Sequence, residues 1–569
     1  MNKQGMNKQS MNEQGVSAMT AEGTLPRAAA DRVALYRTSG LWHNRSLADG
    51  IEAAAARRPD AVALADNDGR LSYASLALAM ATARATLATH GVRAADIVVL
   101  VSGNTRHGVI AYHALLRAGA TVIALDRRCG AADLRAAVDA VSGRPGAIPR
   151  GTAAVPGRRP PVIIAEPEAA RLHDALAGHA IIPLEGFDAP PPVLQAAPVL
   201  QAAQPEPDRD RAAVLLFSSG TTGRPKGVLH SLNTLTAGAA NMARITSAGR
   251  DTVCFLVAPL TSITGLMQVH LAADAHATLV LEDQFDPQES LRRMNAAGAT
   301  LLGGAPVIAE RLLHAAMAGP GTGLSLRTLA LGGAMLPRPL LELATESFCI
   351  KIARVYGSSE APNFTGSLPG DDREARLSDD GALMPGSEVR VGSSGYPREG
   401  MLRGPSLFLG YLDPADNASA FEGGWYRTGD QVEVSGADGG QARLSVVGRL
   451  KEVVNRNGLK ISLPEADAAL DGLPGVVEHS SFGMPDAETG ERLAVAVRLA
   501  GEASLTLDDV VAYLLGNGVA RRKLPEQLVR WDGPLPRTAS GKIVRSRLVM
   551  ESPAKDCDLA SRLRPAQAG

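Results

Sequence analysis

The sequence predicts an α/β fold in two parts, a large N-terminal α/β domain followed by a small α+β module. Three observations carry this. From about residue 47, apolar runs of strand length alternate with segments of helical period, the pattern of strands joined by helical crossovers. Past residue 350, short strands and glycine turns dominate to about Gly448. From Arg449 the chain returns to mixed helices and strands over roughly 100 residues, a length that folds as a unit.

In chain order, the first 15 residues are three near-copies of a polar pentapeptide, MNKQG, MNKQS and MNEQG, with no apolar stretch of signal-peptide length. Residues 1–44 are therefore expected to be a disordered extension. Leu47 to Ala56 has helical spacing, and Leu71 to Gly91 reads as a longer helix ended by its glycine. IVVLVSG (Ile97 to Gly103) is an apolar run closed by a turn residue, the form of a buried parallel strand. HGVIAYHALLRAGA follows as a helix and Thr121 to Leu125 as the next strand. Gly143 to Pro207 is rich in proline and alanine and repeats VLQAA, so it reads as loop and insertion, except for a strand at Pro161 to Glu166. Alternation resumes at Ala212 to Ser219. The boundaries expected are 45–448 for the large domain, 449–550 for the small one and 551–569 for a tail.

Lys+Arg number 58 against 59 for Asp+Glu, a formal net charge of −1, so charge makes no case for nucleic acid or an acidic membrane surface. No run of about 18 apolar residues predicts a membrane span. Cys129, Cys254, Cys349 and Cys557 are far apart, which implies neither a zinc site nor a disulfide framework and fits a reducing cytoplasm.

The sharpest local feature is LLFSSGTTGRPKGVLHS, Leu215 to Ser231. An apolar strand runs into Ser218, Ser219, Gly220, Thr221, Thr222, Gly223, Arg224, Pro225 and Lys226. Polyphosphate needs backbone N–H groups, hydroxyl donors and a cation converging on one loop, and glycines let the backbone come close. The spacing excludes a Walker loop, because Lys226 follows Gly223 by three positions and is itself followed by Gly227 rather than Ser or Thr.

With this loop and several ordered motifs beyond it, the chain from about Leu47 to Met550 resembles the acyl-adenylate-forming superfamily of acyl- and aryl-CoA synthetases, peptide-synthetase adenylation domains and luciferases. The resemblance implies stacked α/β sheets and a distorted β-barrel in the large domain, a mobile small domain, ATP and Mg²⁺ as cofactors, and coenzyme A as co-substrate. LALGGAMLP places Gly332, Gly333 and Ala334 in a turn beside adenine. VYGSSEAP implies that Tyr356 stacks on adenine and that Gly357, Ser358 and Ser359 line the nucleotide, with Ser359 where threonine is usual. Its Glu360 would hold Mg²⁺, as a hard cation on phosphate oxygens wants a carboxylate. WYRTGD implies that Asp430 accepts from the ribose hydroxyls, and VGRLKEVVNRNGLKIS that Arg449 contacts ribose or phosphate. In the latter motif Lys451 is the hinge and Gly458 lines the thiol tunnel. LPRTASGKIVR makes Lys542 the catalytic lysine beside Glu360 and Lys226.

The chain departs from the family at APLTSITGLM, where Thr261 and Ser262 replace an aromatic and a histidine at the border of the acyl pocket. Ser262, Ile263, Leu266 and Met267 are the pocket candidates. No acid occurs there to pair an ammonium, which disfavours an α-amino acid. YGSSEAPNFTGS resembles the branch acting on medium-chain or alicyclic acids such as cyclohexanecarboxylate. The expected partners are a hydrophobic carboxylic acid and CoA, with a separate acyl carrier protein as the alternative acceptor. Only 27 residues follow Lys542, so no carrier domain is expected in the chain. A nucleotide sensor without chemistry is the rival class, and the presence of Lys542, Glu360 and Asp430 together argues against it.

Overall fold

The computed structural model describes residues 25, 28–43, 47–129, 131–142, 161–166, 179, 181–184, 187, 208–218, 226–318, 323–333, 336–436, 441–450, 452–456, 459–486, 489–501, 503–517, 519, 521–538 and 541–563. Among these residues the chain builds three sheets. In the first, the parallel strands Ala212–Ser218, Thr121–Asp126, Ile97–Ser102, Val162–Ala165 and Ile181–Pro183 lie side by side. Lys226–Ser231 and Gly410–Tyr411 extend it antiparallel. The second has a parallel half, running Lys351–Tyr356, Thr328–Gly332, Leu301–Gly304, Val253–Leu256, Thr278–Leu281 and Val62–Asp66. Its antiparallel half, the part expected as a distorted barrel, is hydrogen-bonded straight onto Lys351–Tyr356 and runs out to Glu388–Ser393.

Period-2 alternation explains how the two sheets stack. Val98 and Leu100 face the core between the sheets, while Ile97, Val99 and Val101 face the outer side. Leu301, Ala330 and Ala353 face that same inner core, while Leu302, Leu329, Leu331 and Ile352 face outward. Strands covered on both faces read as continuous apolar runs, as these do. The inner layer is filled by the helices Tyr73–Thr89, Arg106–Arg117, Leu232–Thr246 and Ile263–Ala275. Every residue from Gly108 to Leu116 is buried there. Each such Leu, Ile or Val contributes about 1.5–3 kcal/mol by leaving water.

Two boundary expectations are corrected. Residues 30–43 are not a disordered extension: Ala30–Thr38 is a helix, and Tyr36 and Trp42, each 3% exposed, pack on the outer face of the first sheet. Burying two aromatics offsets the entropy of ordering this segment. Residues 1–24 lie outside the described residues. The tail is folded at its start, where Cys557–Leu559 adds an antiparallel strand to Gln527–Arg530. Most of Gly143 to Pro207 also lies outside the described residues, and the strand expected in it is seen at Val162–Ala165.

The second sheet ends at Arg449, and a separate third sheet begins at Val453–Arg456. That sheet is flanked by the helices Leu463–Leu470, Leu507–Gly516 and Arg545–Glu551, with its own buried clusters around Leu528, Val529 and Val454. No helix among the described residues is long and apolar enough to cross a membrane.

Candidate active site

Ser218, Gly332 and Tyr356 all stand at the carboxyl ends of parallel strands, where open α/β sheets bind ligands. Strand Ala212–Ser218 pairs antiparallel with Lys226–Ser231, Ser218 opposite Lys226, so the two ends of the glycine loop are held together. The tip itself, Ser219, Gly220, Thr221, Thr222 and Gly223 with Arg224 and Pro225, lies outside the described residues. The Lys226 ammonium lies 3.3 Å from Asp416 and 4.7 Å from the centre of the Tyr411 ring, a cation–π contact. Gly227 is required where Gly410–Tyr411 crosses, because a Cβ there would lie 2.9 Å from Leu412 Cβ.

The neighbouring strands Thr328–Gly332 and Lys351–Tyr356 bring two motifs side by side, with Gly332 opposite Val355. A Cβ on Gly332 would sit 2.1 Å from the Val355 carbonyl oxygen, and Gly333 has a φ of +78°, so the turn demands both glycines. Ala334 lies outside the described residues. After Tyr356 the chain doubles back: the Ser358 hydroxyl accepts from the N–H of Glu360 (3.2 Å) and of Ala361 (3.3 Å). His230 donates from Nε2 to the Ser359 carbonyl at 2.7 Å and faces the Thr234 hydroxyl at 3.0 Å through Nδ1. Glu360 is 8% exposed, and its Oε1 accepts from the Tyr411 hydroxyl at 2.9 Å.

Asp430, 6% exposed, sits opposite Arg449 on adjacent antiparallel strands. Arg449 Nε donates to Oδ1 at 2.9 Å and the Tyr356 hydroxyl to Oδ2 at 2.8 Å. Burial pushes the Asp430 carboxyl up, while Arg449 and Tyr356 pull it down. Burial also pushes the Tyr356 hydroxyl far up, and the Asp430 carboxylate adds to that. Each Asp430 oxygen keeps a lone pair for a further donor.

Lys542 follows Gln527–Arg530, a strand of the third sheet. Its loop is closed by the Thr538 N–H donating to the Lys542 carbonyl at 2.8 Å, with Gly541 at φ +84°. A Cβ on Gly541 would lie 3.1 Å from Val307 Cγ1, so the loop lies against the first turn of Pro306–Ala318 in the large domain. Partial burial lowers the Lys542 ammonium; Arg449 lowers it further, while Asp430, Glu452 and Glu360 raise it. Lys542 therefore feels the charges of Asp430 and Glu360, both carboxylates of the large-sheet region. Lys451 and Gly458 lie outside the described residues.

Of the acyl-pocket candidates, Ser262 caps the helix Ile263–Ala275, accepting from Gly265 N–H and donating to the Pro259 carbonyl. Leu266 belongs to the inner core and Ile263 packs against it. Met267 reaches toward the Tyr356–Pro362 turn, since a Cβ on Gly238 would lie 2.8 Å from its sulfur and 3.2 Å from Pro362 Cγ. Tyr411, Asp416 and His230 were not singled out in the sequence; nothing local marks them, because their partners lie far along the chain.

For Mg²⁺, the fit is good in kind. No cluster of three or more His, Cys, Asp or Glu side chains occurs among the described residues. Mg²⁺ takes one or two carboxylates plus substrate phosphates rather than an all-protein cage. Glu360 supplies one buried carboxylate, its Oε1 held by the Tyr411 hydroxyl.

The chain is 30% identical to a 2-hydroxy-7-methoxy-5-methyl-1-naphthoate–CoA ligase of Streptomyces carzinostaticus, over 91% of this chain and 95% of that one. It is 32% identical to a salicyl-AMP ligase / salicyl-S-ArCP synthetase of Mycobacterium tuberculosis, over 92% and 93%. Its fold matches that of ATP-bound MatB from Rhodopseudomonas palustris with a TM-score of 0.75 at 23% identity, covering 88% of this chain and 98% of that one. Residues 51–412, well over half of the chain, match the AMP-binding enzyme family, and the protein belongs to that family.

Proposed function

We propose that the protein is an AMP-forming acid–thiol ligase. It would join a hydrophobic carboxylic acid to ATP as an acyl-adenylate, release pyrophosphate, and pass the acyl group to the thiol of coenzyme A. One observation carries this reading: residues from four separate motifs are linked in space, Lys226 and Glu360 through the ring and hydroxyl of Tyr411, and Lys542 through the charges of Asp430 and Glu360 that act on its ammonium.

In the first step a carboxylate oxygen of the acid attacks the α-phosphorus of ATP, and the bond to the bridging oxygen of pyrophosphate breaks. The chain contributes positioning and charge. Lys226 and the loop's N–H and hydroxyl groups hold the β- and γ-phosphates. Asp430 accepts from the ribose hydroxyls, and Tyr356 lies under adenine. Lys542 spans the acid's carboxylate and the α-phosphate as negative charge builds. Mg²⁺, held by Glu360, would supply Lewis-acid neutralisation of the phosphate oxygens. In the second step the thiolate sulfur attacks the acyl carbon and AMP departs as the leaving group.

The acyl group is proposed as apolar and medium-chain, alicyclic or aromatic. Met267 and Ile263 offer no charge, and an unpaired ammonium would cost several kcal/mol. A carrier protein is the second acceptor considered, favoured by the salicyl relative's name. A cytoplasmic setting suits four cysteines so far apart in the sequence. The test is a panel of acids assayed for ATP-dependent pyrophosphate release and thioester formation, with free CoA and with a phosphopantetheinylated carrier. Apolar acids should outrun their α-amino analogues by about 10-fold or more. Equal turnover of an amino acid would refute the pocket reading, and absence of pyrophosphate would refute the whole.

A further inference from the structure

The helix Ala30–Thr38 and the residues after it grip a buried loop by its carbonyl groups. Arg32 donates from Nη1 to the Phe408 carbonyl at 3.0 Å, and from Nη2 to the Gly404 carbonyl at 3.2 Å and to that of Leu407. Trp42 Nε1 donates to the Pro405 carbonyl at 3.0 Å. The guanidinium lies 5.4 Å from the Trp42 ring centre and 6.0 Å from that of Tyr36. Burial lowers Arg32 to about 10, and no described hydrogen bond of its guanidinium goes to a carboxylate. Four carbonyls within five residues are thus fed by two side chains from the other end of the chain. A planar fork of five donors suits that task, and an ammonium does not.

The loop leads directly into the polyphosphate side of the site. Phe408, whose carbonyl Arg32 holds, gives its N–H to the Glu360 carbonyl at 2.7 Å. Leu409 N–H donates to the Leu229 carbonyl at 2.8 Å and Leu412 N–H to that of Gly227 at 2.7 Å. Between them Tyr411 puts its hydroxyl on Glu360 and its ring beneath Lys226. Arg32 is therefore one peptide unit from the Glu360 backbone and three residues from the side chain that orients both Glu360 and Lys226.

We infer that Arg32, seconded by Trp42, is a positioning residue for ATP and its metal: it holds Gly404–Phe408 so that Tyr411 presents Glu360 and Lys226 in register. The inference rests on the roles proposed above for those two residues. Loss of the grip leaves buried carbonyls without donors, and the loop then shifts to rehydrate them. The phosphate and metal contacts suffer, while the thiol step, which uses neither pyrophosphate nor its metal, does not.

The experiment compares wild type with Arg32→Ala, Arg32→Lys, Arg37→Ala and Glu360→Gln. Arg37 anchors the same helix elsewhere, on Asp210 at 2.7 Å, and serves as the control for helix docking. Binding of Mn²⁺–ATP is read from the Mn²⁺ paramagnetic resonance signal, and the two half-reactions are assayed separately. Arg32→Ala should weaken Mn²⁺–ATP binding about tenfold, the low end for groups that orient a metal ligand, and Arg32→Lys should recover part of it. Thioester formation from supplied acyl-adenylate should stay within about twofold of wild type, and Arg37→Ala should bind Mn²⁺–ATP normally. Should Arg32→Ala not fold, Trp42→Phe makes the same test, keeping an aromatic ring and losing the N–H to Pro405. Wild-type Mn²⁺–ATP binding in Arg32→Ala beside weakened binding in Glu360→Gln would overturn the inference. So would equal weakening in Arg37→Ala, which would reduce the helix to scaffold. Normal binding in Glu360→Gln would sink the metal role itself, and this inference with it, without reference to Arg32.

Discussion

At the scale of single residues, Lys542 is the group whose removal is expected to separate the two proposed half-reactions. Burial and Arg449 lower its ammonium, while Asp430, Glu452 and Glu360 raise it, and in the proposed reaction it would face the charge that develops on the α-phosphate. Lys542→Ala should slow pyrophosphate release about 100-fold or more, as loss of one preorganised donor at a developing charge does. Conversion of supplied acyl-adenylate to thioester should be nearly unchanged, and equal loss in both assays would discard the assignment. Tyr411→Phe makes a finer cut. The ring under Lys226 stays, while the hydroxyl on Glu360 goes. Titration of pyrophosphate release against Mg²⁺ should show a requirement raised by about fivefold to tenfold; an unshifted curve would mean that Tyr411 does not orient the carboxylate. The contrast between these residues shows what was legible. Lys226, Glu360, Asp430 and Lys542 stand in motifs whose chemistry is written within a few neighbouring residues. Tyr411 meets its carboxylate across 51 positions, and Arg32 meets its carbonyls across 376, so no local spacing points to either.

At the scale of elements, the buried strands were legible because both faces are covered: Ile97–Ser102 and Thr121–Asp126 read as unbroken apolar runs and pair in parallel from end to end. The helix Tyr73–Thr89 begins two residues later than its apolar pattern, because Ser72 caps it by accepting from Ser75 N–H. The helix Ala30–Thr38 was not legible. Its sequence is half polar, and what orders it is the fit of Tyr36, Trp42 and Arg32 to a distant loop. The connection between the second and third sheets is where a hinge belongs. Leu450 N–H is tied to the Gly429 carbonyl at 2.7 Å, on the other side Leu463 N–H is tied to that of Glu452 at 2.8 Å, and Glu452 N–H reaches back to the Arg449 carbonyl at 3.2 Å. We propose Lys451 as the pivot. Proline fixes φ near −65° and removes an N–H, so Lys451→Pro should hold one domain pose. Adenylate formation should survive while thioester formation falls by about 10-fold or more, as when a required closure is blocked. Parallel loss of both half-reactions, or of neither, would place the pivot elsewhere.

At the scale of the whole molecule, the layer between the two large sheets carries three histidines that the chemistry does not use directly. His113 and His270 lie on two of the helices that fill it, with the Tyr112 hydroxyl 2.7 Å from His270 Nε2. Among the described residues, the Nδ1 atoms of His113 and His270 find no hydrogen-bond partner. His230 lies on the strand after the glycine loop. Burial drives His113 and His230 down to about 4 and His270 well below its usual value. The sign of the consequence follows from linkage. The unfolded chain protonates these imidazoles as pH falls through about 6.5, whereas the folded chain resists until about pH 4. Stability is therefore intact above pH 6.5 and falls progressively below it, by about 2 kcal/mol at pH 5 for each histidine shifted that far. Asp430 and Asp467, pushed up by burial, act in the opposite sense, so the loss cannot be assigned from the profile of the wild type alone. The discriminating measurement is the urea midpoint at pH 7.5 and at pH 5 in wild type and in His113→Gln, which is uncharged at both. The variant should be weaker at pH 7.5, where it gains only a repacked polar group, and should lose less on going to pH 5. An identical drop in both proteins would show that His113 does not carry the acid sensitivity, and would shift the cause to the carboxylates of the surface ion pairs.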